Sequence, residues 1–403
     1  MRTADTIEER GWTDRPWLSW LFRPVDIAAL AVFRVAFGLL MAWDTLRYLS
    51  AGWATEHYVE PVMTFRFYGF QWLGEPSTVV MYGLFGLQLV SSVAIGFGLF
   101  YRLSCLAFTF AHTAIFLLAA EYYLNHAYLI SMLGVMMAVL PAHRALSVDV
   151  ARRPHTHSNR VHLWAYALLI GLLGVVYTYG AIAKMNPDWM AGEPVRHWIG
   201  DRAATAPAPI AEFLLSEAGV YFIAYGGLLF DLLVVPGMLW KKTRPLFVLA
   251  SATFHLSNAF LFHIGVFPWL MLASTTLFFD LDWPRKIPYF GRAVSDALDR
   301  HDGLFVERKE DHPIPEGPVG TIIDSLRRRQ WVVAGLGMFF TYQLLMPLRH
   351  HLYPSNVAWS EEGHMFSWRM KLRDKGGPFT FRVVDKNTGE QWTVDPKDQL
   401  TDR

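Results

Sequence analysis

From Val175 to Trp198 the chain reads VVYTYGAIAKMNPDWMAGEPVRHW, an apolar helix that runs directly into a lysine. An ammonium group at the edge of hydrocarbon is costly, so an ionisable residue inside or at the lip of a membrane helix marks a functional position by default. Two readings of Lys184 stand side by side. Its stem can lie along apolar surface while the head reaches the interface. Alternatively, the aromatic surroundings of Tyr177, Tyr179 and Trp189 desolvate the amine and favour its neutral form, which serves as a general base near pH 7. Further groups able to position or polarise a substrate are Asn125 with His126, His255 with Asn258 about one helical turn on, His263, and the run Arg349, His350 and His351. The chain lacks HExxH, CxxC, a GxGxxG after a strand and GxxxxGK[ST], so zinc protease, Rossmann and P-loop chemistries have no sequence support. His155 and His157 form an H-x-H within a basic loop and are not read as a metal site; no metal is expected.

The elements that must hold these residues are set by composition. With 403 residues, 53% hydrophobic and only 18% charged, and a mean hydropathy of +0.23, the chain is too apolar for an ordinary soluble domain. A net charge of +1 gives no footprint for nucleic acid. The lone Cys105 excludes an intramolecular disulfide. The polar N-terminus, MRTADTIEERGWTDRPW, lacks the charged-then-apolar pattern of a cleaved signal.

Apolar segments able to cross ~30 Å of hydrocarbon run over 26–48, 76–99, 103–120, 126–141, 161–183, 216–239, 245–262, 265–280 and 330–347. The expected fold is an all-α polytopic membrane bundle of about nine transmembrane helices with a small β-rich C-terminal extramembrane appendage. Its divisions are a cytoplasmic N-terminal segment over 1–25, a transmembrane domain over 26–347 and an extracytoplasmic tail over 348–403. The tail alternates in TFRVVD and QWTVD around DKNTGE, a hairpin signature. Lysine and arginine bias sets the orientation: Arg102, Arg144, Arg152, Arg153, Arg160, Lys241, Lys242, Arg244 and the stretch from Arg285 to Arg329 fall in one set of loops. The opposite loops carry only Arg66, Lys184, Arg196 and Arg202, which places the N-terminus in the cytoplasm and Lys184 and the C-terminus outside. Asn125, His126, Lys184, His263 and His350 then share one membrane depth, with His255 and Asn258 beneath them. Asp26, Arg34, Asp44 and Asp231, charged residues within or beside spans, are read as pairing to fix helix packing rather than as chemistry.

The ordered strings RPVDIAALAVFRVAFGLLMAWD, YRLSC, LNHAYL, LSVD, AKMNPDW, RHW, FHLSN followed by IGVFPWLMLAS, and DWPRK resemble the vitamin K-dependent γ-carboxylase family, whose membrane part is the horizontally transferred transmembrane domain. The likeness spans roughly Arg23 to Asp395. It implies that Lys184 is the base that deprotonates reduced vitamin K (menaquinol or phylloquinol), after which dioxygen adds. The resulting strong base would take a γ-proton from glutamate in a protein or peptide before carbon dioxide adds. Asn125 and His126 match the pair that positions the oxygenated quinone. His255, Asn258, Tyr177, Arg196 and His197 are assigned to the quinol, and His350, Trp359 and Trp368 to the glutamate substrate. Membrane lipid and quinol are the expected partners. Animal members of the family carry two adjacent lysines where this chain has Ala183-Lys184, and they continue into a large lumenal domain. Their glutamate-binding segment appears here as WSEEGHMFSW, where Glu361 and Glu362 would repel a carboxylate. The competing class is a non-catalytic membrane module that binds a quinone or lipid, or a partner in peptide export or immunity. Such a module has no need of a desolvated base.

Overall fold

The computed structural model describes residues 15–61, 64–204, 206–262, 264–289, 291–300, 319–370, 372 and 380–395. Each of the nine expected segments is helical: α1 (Ala28–Ser50), α2 (Thr78–Phe97), α3 (Tyr101–Leu118), α4 (Asn125–Val139), α5 (Trp164–Lys184), α6 (Glu217–Leu239), α7 (Arg244–Phe262), α8 (Phe267–Thr275) and α9 (Val319–Leu345). Among the described residues six helical stretches, not nine, are long and apolar enough to span a membrane: α1, α2, α3, α5, α6 and the stretch Arg327–Leu352. The protein is a multi-pass helical membrane protein. The shortfall from nine has physical causes. The 15 residues of α4 rise only ~22 Å, short of the hydrocarbon, and the 9 of α8 less still. In α7, Ser251, His255, Ser257 and Asn258 dilute the apolar character of a helix of sufficient length.

Close helix contact is bought with glycine at one crossing: a Cβ on Gly38 of α1 would lie 2.4 Å from the Gly96 nitrogen of α2, the small-residue contact that lets membrane helices approach. Charged residues are then spent on anchoring. Arg34 is fully buried and donates to the carbonyls of Ala142, Ala145 and Leu146 in the loop after α4 and of Gly96 in α2. Asp149 accepts from the Phe100 and Tyr101 N–H groups and so caps α3. Asp26 ends β1 (Pro24–Asp26), which pairs antiparallel with β2 (Arg160–His162), and its carboxylate meets Arg285 at 2.9 Å. Asp44 pairs with Arg47 within α1 at 2.6 Å, a contact that fixes side chains but joins no second helix.

In the tail, β3 (Phe381–Val384) pairs antiparallel with β4 (Gln391–Val394), Phe381 facing Val394. The turn forms where DKNTGE predicts it: Asp385 Oδ1 accepts from the Asn387 and Thr388 N–H groups at 2.7 and 2.9 Å, and Gly389 takes a positive φ of 73°. Among the described tail residues this hairpin is the whole of the β-structure, so the β-rich appendage narrows to one two-stranded ribbon.

Candidate active site

Lys184 is the last residue of α5, and α5 ends inside the bundle rather than at its edge. Its Nζ donates to Asp231 Oδ2 at 2.5 Å, with the two side chains 8% and 5% exposed. Asp231 stands 14 residues into α6 from Glu217, which at 1.5 Å per residue is ~21 Å along the helix. The chain after Lys184 explains the depth. Asn186 caps a short helical turn by accepting from Trp189 N–H at 3.0 Å, and Pro187 starts that turn. The chain then climbs back along α6, Trp189 Nε1 donating to the Ala224 carbonyl at 2.9 Å and the Tyr225 hydroxyl to that of Met190. The turn folds the Trp189 ring over Lys184, 5.3 Å from Nζ to the ring centroid. Gly180, one turn before Lys184, leaves room for the acid: a Cβ there would sit 3.0 Å from Asp231 Oδ2 and 3.6 Å from the Met370 methyl.

Near Met370 lies a cavity of about 740 Å³, within the usual range for small-molecule sites. Asn125, His126, Asn186, His197, Trp359 and Arg369 are among its lining. Lys184 is not, but Met370 is, and its methyl would lie 3.6 Å from a Cβ on Gly180, one turn before Lys184. The His126 ring stacks on Phe267 with centroids 5.5 Å apart, and its nitrogens make no hydrogen bond among the described residues. Asn125 is committed on both ends of its amide: Nδ2 donates to the Arg369 carbonyl at 3.0 Å, and Oδ1 accepts from the Tyr123 hydroxyl at 3.0 Å. That hydroxyl also accepts from the Phe366 N–H at 2.6 Å. Asn125 therefore tethers the 366–369 strap to the mouth of α4, across which the cavity opens.

The remaining expected site residues separate. Tyr177 and His255 meet, hydroxyl to Nε2, at 2.9 Å, two turns below Lys184; His255 Nδ1 is buried and unbonded. Asn258 is half-buried on α7 away from the cavity lining. His197 is exposed and lines the cavity, whereas Arg196 is engaged by Glu217, one nitrogen at 2.6 Å, and holds the helix Glu193–Ala203 against the start of α6. The Glu217 carboxylate raises the Arg196 pKa above its ordinary value through that hydrogen bond. His350 Nδ1 bonds the Pro347 carbonyl at 2.8 Å, and its ring lies against His351. The two tryptophans of WSEEGHMFSW part company: Trp359 is 77% exposed at the cavity mouth, and Trp368 is fully buried against Tyr128. Glu361 and Glu362 are exposed and off the cavity lining, with Glu362 bound to the Ser355 hydroxyl, so the repulsion read from the sequence is aimed away from the cavity. His263 lies outside the described residues.

Asp231, expected from the sequence to pair and fix helix packing, is the partner of Lys184. The signal was present: an acid in the middle of the apolar α6, well beyond Glu217 at its start, demands an opposite charge at membrane depth. Arg34 on α1 is satisfied by carbonyls, which leaves Lys184. Tyr123 and Met370 carried no charge signal and emerge only from the fold.

A helical membrane domain with a buried lysine–carboxylate pair and a polar-mouthed cavity is the class that this geometry defines. Residues 22–283 match the HTTM domain model. Residues 328–403 match the model of the vitamin K-dependent gamma-carboxylase lumenal domain, so the tail carries part of the domain that the departures from the animal pattern had put in question. The chain belongs to the vitamin K-dependent gamma-carboxylase family. No solved structure matches it significantly.

Proposed function

We propose that this protein is a quinol oxygenase of the γ-carboxylase type, forming the epoxide of reduced vitamin K or menaquinol, with Lys184 and Asp231 together receiving the quinol proton. The observation that carries the reading is the buried Lys184–Asp231 pair, with Gly180 one turn before Lys184 close to the cavity-lining Met370. The cavity suits an aromatic diol: Phe267 and Met370 give it apolar surface, and His126 offers ring nitrogens that make no hydrogen bond among the described residues. A reduced quinone bound there supplies the carbon framework that dioxygen attacks.

The chain's own residues do the rest. As ammonium and carboxylate the pair is neutral, and it accepts a proton at Asp231; with the shared proton on Asp231 it accepts at Lys184 Nζ. Both routes end in the same cationic pair, which the Trp189 face stabilises. His126 holds developing negative charge on oxygen by donating from its ring. Asn125 keeps the strap and Met370 in place, and rotation of the Met370 side chain opens the path between cavity and pair. Dioxygen and carbon dioxide are co-substrates in this reading, and a glutamate-containing peptide enters past Trp359, His364 and Arg369. Lys184 and the cavity face the extracytoplasmic side, as the charge bias indicates.

One observation favours the non-catalytic alternative: Lys184 Nζ is already bonded and off the cavity lining, as a purely structural ion pair would be. Incubating detergent-purified protein with chemically reduced vitamin K under air and measuring epoxide by chromatography decides between them. Epoxide above the protein-free control supports oxygenation; its absence with demonstrably folded protein supports the binding module.

A further inference from the structure

At the end of the bundle opposite Lys184, the turn between α2 and α3 packs against the loop that joins α4 to α5. The backbone there is fixed. Arg34 holds the Ala142, Ala145 and Leu146 carbonyls from within, and the Asp149 N–H donates to the Gly98 carbonyl at 3.0 Å while its carboxylate caps α3. Outward from this platform stand Arg102, Arg144 and Arg152, all exposed. Arg152 lays its guanidinium over the exposed Phe100 ring, 4.3 Å from the centroid. Arg102 and Arg144 both bear on His143, whose ring stacks on Tyr101 at 5.0 Å. Burial first, then positive charges led by Arg102 and Arg144, lower the His143 pKa to about 4 against the opposing pull of Asp149.

The charge of this patch is unmet, in contrast to basic side chains elsewhere at the same end. Lys241 and Arg244 meet Asp280, Arg285 meets Asp26 and Asp299, and Lys286 meets Asp282. Arg102, Arg144 and Arg152 have no such partner among the described residues, and both oxygens of Asp149 are taken by the Phe100 and Tyr101 N–H groups. From 98 to 160 the chain uses arginine and no lysine. Either residue satisfies the positive bias of a membrane loop, but only the planar guanidinium fork matches a pair of phosphate oxygens. Beneath Arg102 the outer face of α3 is apolar: Leu106 and Phe110 follow it at steps of four, with Leu103 beside them, and all three are exposed. Fixed guanidinium groups above an apolar stripe complement an anionic head on a hydrocarbon chain.

We propose that Arg102, Arg144 and Arg152 bind the phosphate headgroup of an anionic phospholipid, whose acyl chain lies along Leu103, Leu106 and Phe110. A zwitterionic lipid brings its own cation to the phosphate and gains less from the patch. A soluble phosphate has no use for the apolar stripe, so the source is the lipid. None of this rests on the quinol reading, because the patch lies at the other end of the bundle and the test reads binding, not turnover.

The test is native mass spectrometry of the detergent-purified full chain, titrated with phosphatidylglycerol and with phosphatidylcholine of the same acyl chains. Wild type should retain phosphatidylglycerol saturably and about tenfold or more tightly than phosphatidylcholine. Arg102→Gln/Arg144→Gln/Arg152→Gln should weaken phosphatidylglycerol about a hundredfold, the loss for three cations at an anionic lipid surface. Lys241→Gln/Lys286→Gln removes two exposed cations that acids already meet, and should change the affinity by less than about twofold. Equal retention of the two lipids by wild type, or equal losses in the two variants, overturns the site. Displacement of phosphatidylglycerol by inorganic phosphate, but not by chloride at matched ionic strength, overturns the lipid source.

Discussion

Replacing Lys184 by methionine strands the Asp231 carboxylate in a site where it is 5% exposed. Removing one partner of a buried pair costs ~3–5 kcal/mol, because the survivor keeps its desolvation penalty and loses its attraction. Asp231→Leu strands the ammonium at a similar cost, with the Trp189 face returning ~1 kcal/mol of it. If the two losses added, the double variant would be less stable by ~6–10 kcal/mol and would fail to fold. The pair predicts otherwise: replacing both charges by apolar groups of similar volume is often neutral or stabilising by ~1–4 kcal/mol. The four proteins of this cycle can be compared by reversible denaturation in mixed detergent, followed by tryptophan fluorescence. Each single variant should fall several kcal/mol below wild type, and Lys184→Met/Asp231→Leu should return to within ~2 kcal/mol of it. A double variant as unstable as the sum of the singles would refute the coupling, and with it the assignment of Asp231 as the partner of Lys184.

Other outcomes follow from the same geometry. His126→Ala should lower epoxide turnover at saturating quinol by about a hundredfold, ~3 kcal/mol for one donor to developing charge; a rise in KM with unchanged kcat would make His126 a wall of the cavity only. In a Cys105→Ala background, new cysteines at Met190 and Asn356 should react with a membrane-impermeant maleimide in intact cells while one at Ser158 stays unlabelled, and the reverse pattern would invert the topology. Replacing Glu361 and Glu362 by glutamine should leave peptide carboxylation unchanged, since both carboxylates are exposed and off the cavity lining; a marked gain in fixed carbon dioxide would show that they do meet the substrate. Hydrogen bonding from Lys241, then from Arg244, holds Asp280 below its ordinary pKa of 3.8. Its contribution to stability is therefore present above that value and lost as pH falls through the lower folded value. The Tm gap between wild type and Asp280→Asn should close as the pH is lowered towards 3, and a gap that does not change with pH would refute this.

The helices were legible because each is a sustained apolar run, and the DKNTGE hairpin because its turn needs Asp, Asn and Gly at fixed places. Span number was less so. Hydropathy does not distinguish a helix that crosses lipid from one that sits within protein, and α4 and α8 are too short to cross. Asn125 and His126 come to one cavity lining, whereas Lys184, expected at the same depth, lies off it; its depth was not readable, since it depends on the return of residues 185–203 along α6. The acids of WSEEGHMFSW misled for a related reason. Residue type announces charge but not direction, and Glu361 sits in a left-handed turn that carries the pair to the surface.

In the proposed function the Lys184–Asp231 pair performs chemistry and does not merely hold helices together. Lys184→Met/Asp231→Leu, shown to be folded by its denaturation curve, separates the two roles, because it removes the proton acceptors while sparing the packing. With reduced vitamin K, air and detergent-purified protein, wild type should form epoxide continuously and the double variant should form none above the protein-free control, a loss of at least about a thousandfold, ~4 kcal/mol in the barrier. Epoxide formation by the double variant at more than about a tenth of the wild-type rate, within ~1.4 kcal/mol, would contradict the account and return the pair to structure alone.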